Sequence, residues 1–165
     1  MTLIILLLSY VCICGIAYAV MRHLYVKNIL TTLKAPKHKW LYYLLQCTWG
    51  LPANILGGIL ALYFLSCRKY CFKYKDVFCC GLKGDAGFSL GLFCFIPLRC
   101  SDSFKNHEFG HSIQNAYLGP LYFGVVAIPS AARFFWRALK QKLNKPVFTD
   151  YDAIWFEGQA TKSGE

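Results

Sequence analysis

Apolar residues in this chain are grouped in long runs. The first run, from Leu3 to Met21, carries no charge, and at about 1.5 Å per helical residue it can cross about 30 Å of hydrocarbon. It therefore predicts a transmembrane helix. A cleaved signal peptide is the alternative, but no Lys or Arg precedes the run, and the run is longer than the usual apolar core of such a peptide.

Two later runs are interrupted by helix-breaking residues. Trp40 to Ser66 contains Gly50 to Asn54, with Pro52 inside it. Such a break predicts either a kinked span or a re-entrant hairpin, because neighbouring protein must satisfy the backbone groups that it exposes. Leu121 to Leu139 is also apolar enough to span the membrane or to lie deep in it, with Pro129 in its middle.

The segment between these runs has a different pattern. Two short apolar pieces, Val77 to Cys80 and Phe88 to Ile96, flank the turn-forming sequence Lys83 to Gly87. Aromatic and β-branched residues on both sides of a Gly-Asp turn predict a β-hairpin. A third, short membrane-embedded segment is the alternative.

The residues that could carry out chemistry come shortly after this segment, in His107-Glu-Phe-Gly-His111. On a helix, two histidines four residues apart leave the same face and can bind one cation. Glu108 could then act as the general base that takes a proton from a metal-activated water. Ser101, Asp102 and Ser103 offer N-caps for this helix, and Gly119-Pro120 predicts its end.

A catalytic zinc ion normally takes three protein ligands, so a third must come from elsewhere. Thr149 and Asp152 resemble a capping box, which predicts a short helix starting near residue 150 and carrying Glu157. Glu157 would complete a His-His-Glu site. Asp150 and Asp152 are the rival third ligands, and a solvated surface position is the simpler alternative for Glu157.

Four further residues are candidates for supporting roles at this site. Gln114 and Asn115 lie one helical turn beyond His111, and Asp152 could hydrogen-bond a histidine. Arg133 lies deep enough in an apolar run to stabilise an oxyanion or to pair with a carboxylate, although such arginines usually extend to the membrane surface.

Composition supports a membrane protein. The chain has 165 residues, of which 56% are hydrophobic and only 16% charged, with a mean hydropathy of +0.39; a soluble domain would carry more charge. The net charge is +10, but the basic residues flank the apolar runs, as they do beside anionic lipid headgroups. Membrane lipid is therefore the expected partner, and nucleic-acid binding is disfavoured.

The nine cysteines include Cys67, Cys71, Cys79 and Cys80 in the middle of the chain. That clustering indicates either a thiolate metal site or disulfides in this segment. The expected fold is mostly α, with two or three apolar membrane helices, an HExxH helix and a short β-hairpin. We expect a single membrane-embedded domain, with a membrane helix and basic loop over residues 1–39 and a core that carries the HExxH helix over residues 40–165.

The chain resembles a family of small bacterial integral-membrane proteins with an HE(Y/F)GHxxQ signature. The resemblance covers about residues 40–164 and rests on Trp49-Gly-Leu-Pro52, Ser89-Leu-Gly91, His107 to Gln114, Gly119-Pro-Leu-Tyr122, Ile128-Pro-Ser130 and Phe156-Glu-Gly-Gln-Ala160 with Gly164. Gly158 and Gln159, where larger residues would be expected, and the cysteine-rich stretch 67–100 depart from it. The site-2 protease type is a weaker match, because its ligand-bearing Asp-Gly motif in a later apolar helix is absent.

The family resemblance implies a zincin-like metallopeptidase in the bacterial cytoplasmic membrane. His107, His111 and Glu157 would bind Zn²⁺, Glu108 would be the base, and the substrate would be a peptide or protein. The alternative function is a non-catalytic membrane protein that acts as a binding or partner subunit, with a structural metal or none.

Overall fold

The computed structural model describes residues 2–146 and 150–165. It is mostly helical, with one small mixed sheet. The helices are α1 (Thr2–Val26), α2 (Lys39–Cys47), α3 (Leu51–Ser66), α4 (Asp102–Leu118), α5 (Ile128–Lys142) and α6 (Trp155–Gly164), and the strands are β1 (Cys71–Tyr74), β2 (Val77–Leu82), β3 (Phe88–Leu90) and β4 (Phe93–Pro97).

The chain forms two compact units. The first comprises Met1–Thr31 and Leu121–Gly158, and the second comprises Thr32–Pro120 and Gln159–Glu165. The boundary near the C-terminus falls inside α6, which is one continuous helix. The single domain expected from the sequence stays a prediction.

In the first unit, α1 is the helix predicted for Leu3 to Met21. It is long and apolar enough to cross a membrane, and only 6% of its most apolar stretch is buried. It packs against the turn of π-helix at Phe123–Ala127, where Gly124 contacts the side chain of Cys14. The apolar run after residue 121 thus becomes this turn followed by α5.

In the second unit, the run from Trp40 to Ser66 breaks where Gly50 and Pro52 predicted. Gly50 caps α3, Pro52 lies in its first turn, and α2 and α3 meet at 87°. By length and composition the two helices can form one broken span or a re-entrant loop, so both predicted alternatives remain. With α1 and the bent pair made of α4 and α5, the described residues hold up to three candidate spans.

The predicted hairpin across Lys83 to Gly87 is wrong. The sheet has the order β1-β2-β4-β3, and β2 pairs with β4 in parallel. Hairpins form on either side of the predicted one, β1 with β2 and β3 with β4, because tight turns at Lys75 and Gly91 adopt positive φ values of 48° and 64°. The sheet therefore has two hairpins joined in parallel.

The two faces of this sheet carry different side chains, because successive strand residues point to opposite sides. One face packs on α3, where Ala61, Cys80 and Phe95 form a buried apolar cluster. The opposite face carries Ser89, which lies within hydrogen-bonding distance of Glu108 on α4. The sheet thus brings a polar strand position to the HExxH helix.

Within the second unit, the part of α6 from Gln159 onward lies directly on α4. A Cβ atom at Gly110 would overlap the carbonyl oxygen of Ala160, and one at Gly164 would overlap that of Asn106. The two backbones can approach this closely only because both positions are glycine. This contact holds the residues of α6 from Gln159 onward against α4.

Candidate metal centre

The motif helix α4 begins and ends where its sequence signals predicted. Ser101 is the N-cap and accepts a hydrogen bond from the backbone nitrogen of Phe104 at 3.2 Å, and Asp102 lies in the first turn. The helix ends at Gly119, whose φ is 54°, and Pro120 follows it. His107, Glu108 and His111 therefore lie in the middle of a well-capped helix.

The two imidazoles of the motif face each other. Their Nε2 atoms lie 3.1 Å apart, and their ring planes are nearly perpendicular, at 89°. His111 is buried, with 5% of its surface exposed, whereas His107 is half-buried. The pair thus has one enclosed side and one more open side.

The remaining ring nitrogens are hydrogen-bonded in a way that suits metal binding. Nδ1 of His111 lies 2.8 Å from Oε1 of Gln114, an amide oxygen that can only accept, so in the neutral ring Nδ1 carries the proton and Nε2 keeps its lone pair. Nδ1 of His107 lies 2.8 Å from Oγ1 of Thr161. Such partners commonly fix the tautomer of metal-ligating histidines.

Glu157 completes a group of three possible ligands. Ligand atoms of His107, His111 and Glu157 all lie within 4.8 Å of one another. Glu157 is fully buried and lies in the first turn of α6, the helix whose later residues contact α4. In residues 2–146 and 150–165, this is the one group of three or more His, Cys, Asp or Glu ligands that could hold a metal.

The donor chemistry fits zinc. Two imidazoles and one carboxylate are the protein ligands of many catalytic zinc sites. Two nitrogens bound to a tetrahedral zinc at about 2.0–2.1 Å lie about 3.3 Å apart, close to the 3.1 Å between the two Nε2 atoms. Neither rival third ligand, Asp150 nor Asp152, belongs to the group.

Glu108 is held in place by Ser89, which sequence reasoning did not identify as a site residue. Oγ of Ser89 lies 2.5 Å from Oε2 of Glu108 and 2.9 Å from its backbone oxygen. Both side chains are buried, with 4% of Glu108 and 5% of Ser89 exposed. Glu108 is therefore a buried carboxylate in a defined orientation, and it is not one of the three grouped ligands.

The candidates for supporting roles lie in different places. Gln114 is fully buried and joins His111 to α6, because its Nε2 donates to Oε1 of Gln159 at 3.1 Å. Asn115 is directed to α2, where its amide donates to Oε1 of Gln46 at 2.6 Å. Of the pair expected beyond His111, Gln114 is therefore the one that contacts it.

Arg133 and Asp152 belong to the first unit. Arg133 donates to the backbone oxygen of Asp150 at 2.6 Å and lines a cavity of about 400 Å³ together with Arg22 and Tyr25. Asp152 is exposed and lies in a short 3-10 turn, Tyr151–Ala153. The capping residue predicted at Thr149 lies outside the described residues, and the helix expected near residue 150 begins at Trp155.

A second polar cluster anchors the other side of α4. The hydroxyls of Tyr42 and Ser112 lie 2.6 Å apart, and Gln46 donates from Nε2 to the backbone oxygen of Ser112 at 2.9 Å. Asn54 donates to Gln46 and accepts from the backbone nitrogen of Leu92 at 2.7 Å. Gln46 and Asn54 were detectable in the sequence as isolated polar residues within an apolar run, because such residues need buried partners.

Comparison of the chain with protein-family models, curated proteins and solved structures gave no match.

Proposed function

We propose that this chain is a membrane-bound zinc metallopeptidase. The observation that carries the proposal is the convergence of His107, His111 and Glu157 ligand atoms within 4.8 Å. Its support is the hydrogen bonding of both histidines, which leaves the Nε2 atom of His111 able to ligate. The resemblance to a zincin-like family implies the same three ligands.

In this proposal each side chain has one role. His107, His111 and Glu157 would hold the ion, which when bound would polarise the scissile carbonyl and lower the pKa of a water molecule. Glu108 accepts the proton of the attacking water and later passes it to the leaving amine. Ser89 keeps the carboxylate of Glu108 oriented, and Gln114 keeps the ring of His111 in the ligating tautomer.

Membrane attachment is part of the proposal and is supported by α1. The helix is charge-free from Leu3 to Met21, and its large apolar side chains are exposed, for example 66% of Ile16. Basic residues follow it, as they do at a lipid headgroup region. We place the protein in a bacterial cytoplasmic membrane on the strength of the family resemblance.

Substituting the base separates catalysis from metal binding. Glu108→Gln removes the proton acceptor but none of the three ligands, so the purified variant is expected to keep its zinc and lose about 10²–10⁴-fold in hydrolysis. Zinc is measured by elemental analysis, and hydrolysis with a fluorogenic peptide library of mixed sequence. Asp85→Asn is the matched control, because Asp85 is an exposed loop carboxylate.

The outcomes distinguish the two candidate functions. Zinc in wild type with hydrolysis that is lost only in Glu108→Gln supports the peptidase. Zinc in both proteins with no hydrolysis in either leaves a structural metal in a non-catalytic membrane protein. Wild-type protein without bound divalent metal contradicts both the peptidase and the structural site.

A further inference from the structure

Two cysteines lie face to face on the side of the sheet away from α4. Cys71 on β1 is paired with Cys80 on β2, and their sulfur atoms lie 2.9 Å apart. This pair belongs to neither the ligand group nor the network around Glu108. The short distance between these two sulfur atoms is therefore not explained by the candidate metal centre.

The strand register suits a covalent bond between these residues. The backbone nitrogen of Gly81 donates to the oxygen of Tyr70 at 2.8 Å, so the next position, Cys71 with Cys80, is a non-hydrogen-bonded pair of the antiparallel ladder. Cα atoms at such a position lie about 4.5 Å apart, and disulfides span Cα separations of about 4.4–6.8 Å. A disulfide can therefore form without moving the strands.

The two thiols differ in access. β1 is an edge strand, and Cys71 on it is partly exposed. Cys80 is fully buried beside Ala61 and Phe95. Burial, together with the neighbouring Cys71, raises the pKa of Cys80 to about 12, so at neutral pH Cys80 is a thiol. Because Cys71 is partly exposed and Cys80 is buried, an external reagent meets the sulfur of Cys71 first.

The other cross-strand cysteine pair is a natural comparison. Cys79 and Cys94 are partners on β2 and β4, on the face toward α4, and only 1% of each residue is exposed. No sulfur of that pair is open to a reagent. Cys71 and Cys80 therefore differ from Cys79 and Cys94 in that one of their two sulfur atoms is accessible to an external reagent.

We propose that Cys71 and Cys80 form a thiol–disulfide exchange site, at which a small disulfide of the glutathione type oxidises the pair and links β1 to β2. The thiolate of Cys71 attacks one sulfur of the reagent, forming a mixed disulfide and releasing one reduced thiol. Cys80 then attacks Sγ of Cys71, its proton leaves with the second reduced thiol, and a protein disulfide remains. The two electrons lost by the pair reduce one external disulfide to two thiols.

This site does not depend on the metal centre. The reaction uses side chains on the α3 side of the sheet, whereas Ser89 and Glu108 lie on the α4 side. The proposal can therefore fail while the peptidase proposal holds, and the reverse is equally possible.

The test uses the full-length protein, reduced and then exposed to oxidised glutathione in detergent micelles. After acid quenching and alkylation, peptide mapping is expected to show loss of two alkylatable thiols and a peptide joined through Cys71 and Cys80. Cys80→Ser is expected to trap one glutathione on Cys71, because the second attack is removed. Cys71→Ser is expected to give no adduct at Cys80, and Cys79→Ser is the control that keeps the link.

Three results would overturn the proposal. In the first, wild-type Cys71 and Cys80 both stay alkylatable in a glutathione excess that modifies the exposed Cys67. In the second, the linked peptide joins Cys79 to Cys94 or any other pair. In the third, Cys80→Ser acquires no glutathione at Cys71. The wild-type mapping decides the matter even if a variant fails to fold.

Discussion

The helices α3 and α4 pack on the same sheet but distribute their residues in opposite ways. α3 buries Ala53, Asn54, Gly57 and Ala61 and exposes its large apolar side chains, including 59% of Ile59 and 67% of Leu62. α4 buries Glu108, His111, Ser112, Gln114 and Asn115. The exposed surface of α3 is therefore apolar, whereas the buried side of α4 is rich in polar groups.

The two helices meet different requirements, contact with lipid for α3 and burial of polar groups for α4. Small buried residues let α3 approach the sheet, while its outer surface has the composition expected for contact with lipid, since water-soluble proteins rarely expose so large an apolar patch. α4 buries polar groups, which is tolerated only when each has partners. The first arrangement supports membrane residence, and the second supports chemistry.

The largest effect on folding is expected from placing a charge on the outer face of α3. Ile59→Asp should raise the free energy of the membrane-embedded state by about 3–4 kcal/mol, because a carboxylate would replace an apolar group in lipid. The measurement is the folded fraction in membrane vesicles by limited proteolysis. Ser66→Asp, at the exposed end of the same helix, should be tolerated; equal tolerance of Ile59→Asp would mean that water covers this face.

A pair of glycine substitutions compares the packing of the two helices. Gly110→Ala should lower the free energy of unfolding by about 2–3 kcal/mol, because the added methyl overlaps the carbonyl oxygen of Ala160. Gly58→Ala should be neutral or stabilise by up to about 1 kcal/mol, because its nearest neighbour, the ring of Phe93, is 3.6 Å away. Thermal unfolding in micelles measures both, and equal shifts would contradict the close α4–α6 contact.

The smallest destabilising effect is expected at the serine that orients the base. Ser89→Ala should lower kcat about tenfold, since one hydrogen bond to a carboxylate is lost, while KM and zinc content stay unchanged. Ser89→Thr should restore most of kcat. If Ser89 served only the packing of the sheet, its loss would lower the melting temperature and leave kcat of the folded enzyme as in wild type.

The elements with strong local signals could be predicted from the sequence. α1 followed from an uninterrupted apolar run, the break at Gly50 and Pro52 from backbone chemistry, and both ends of α4 from Ser101 and Gly119. These features depend on residues close together in the chain. The spacing of His107 and His111 belongs to the same class, because the helix period alone puts both on one face.

Features that depend on distant pairing could not be predicted in the same way. The parallel pairing of β2 with β4 requires knowing that Gly91 turns Phe88–Pro97 back on itself, which the stronger turn signal at Lys83 to Gly87 concealed. The contact of Ser89 with Glu108 follows only from that register. Glu157 was a candidate because the sequence predicted a short helix that carries it, but helix signals do not say which other helix such a residue approaches.

The most direct test of the account is the zinc content of purified wild-type protein against His111→Ala, with His38→Ala as the control at an exposed histidine. We predict about one zinc ion per chain in wild type and in His38→Ala, as for a mononuclear site, and its loss in His111→Ala. Equal zinc in all three proteins, or none in wild type, would contradict the metal centre.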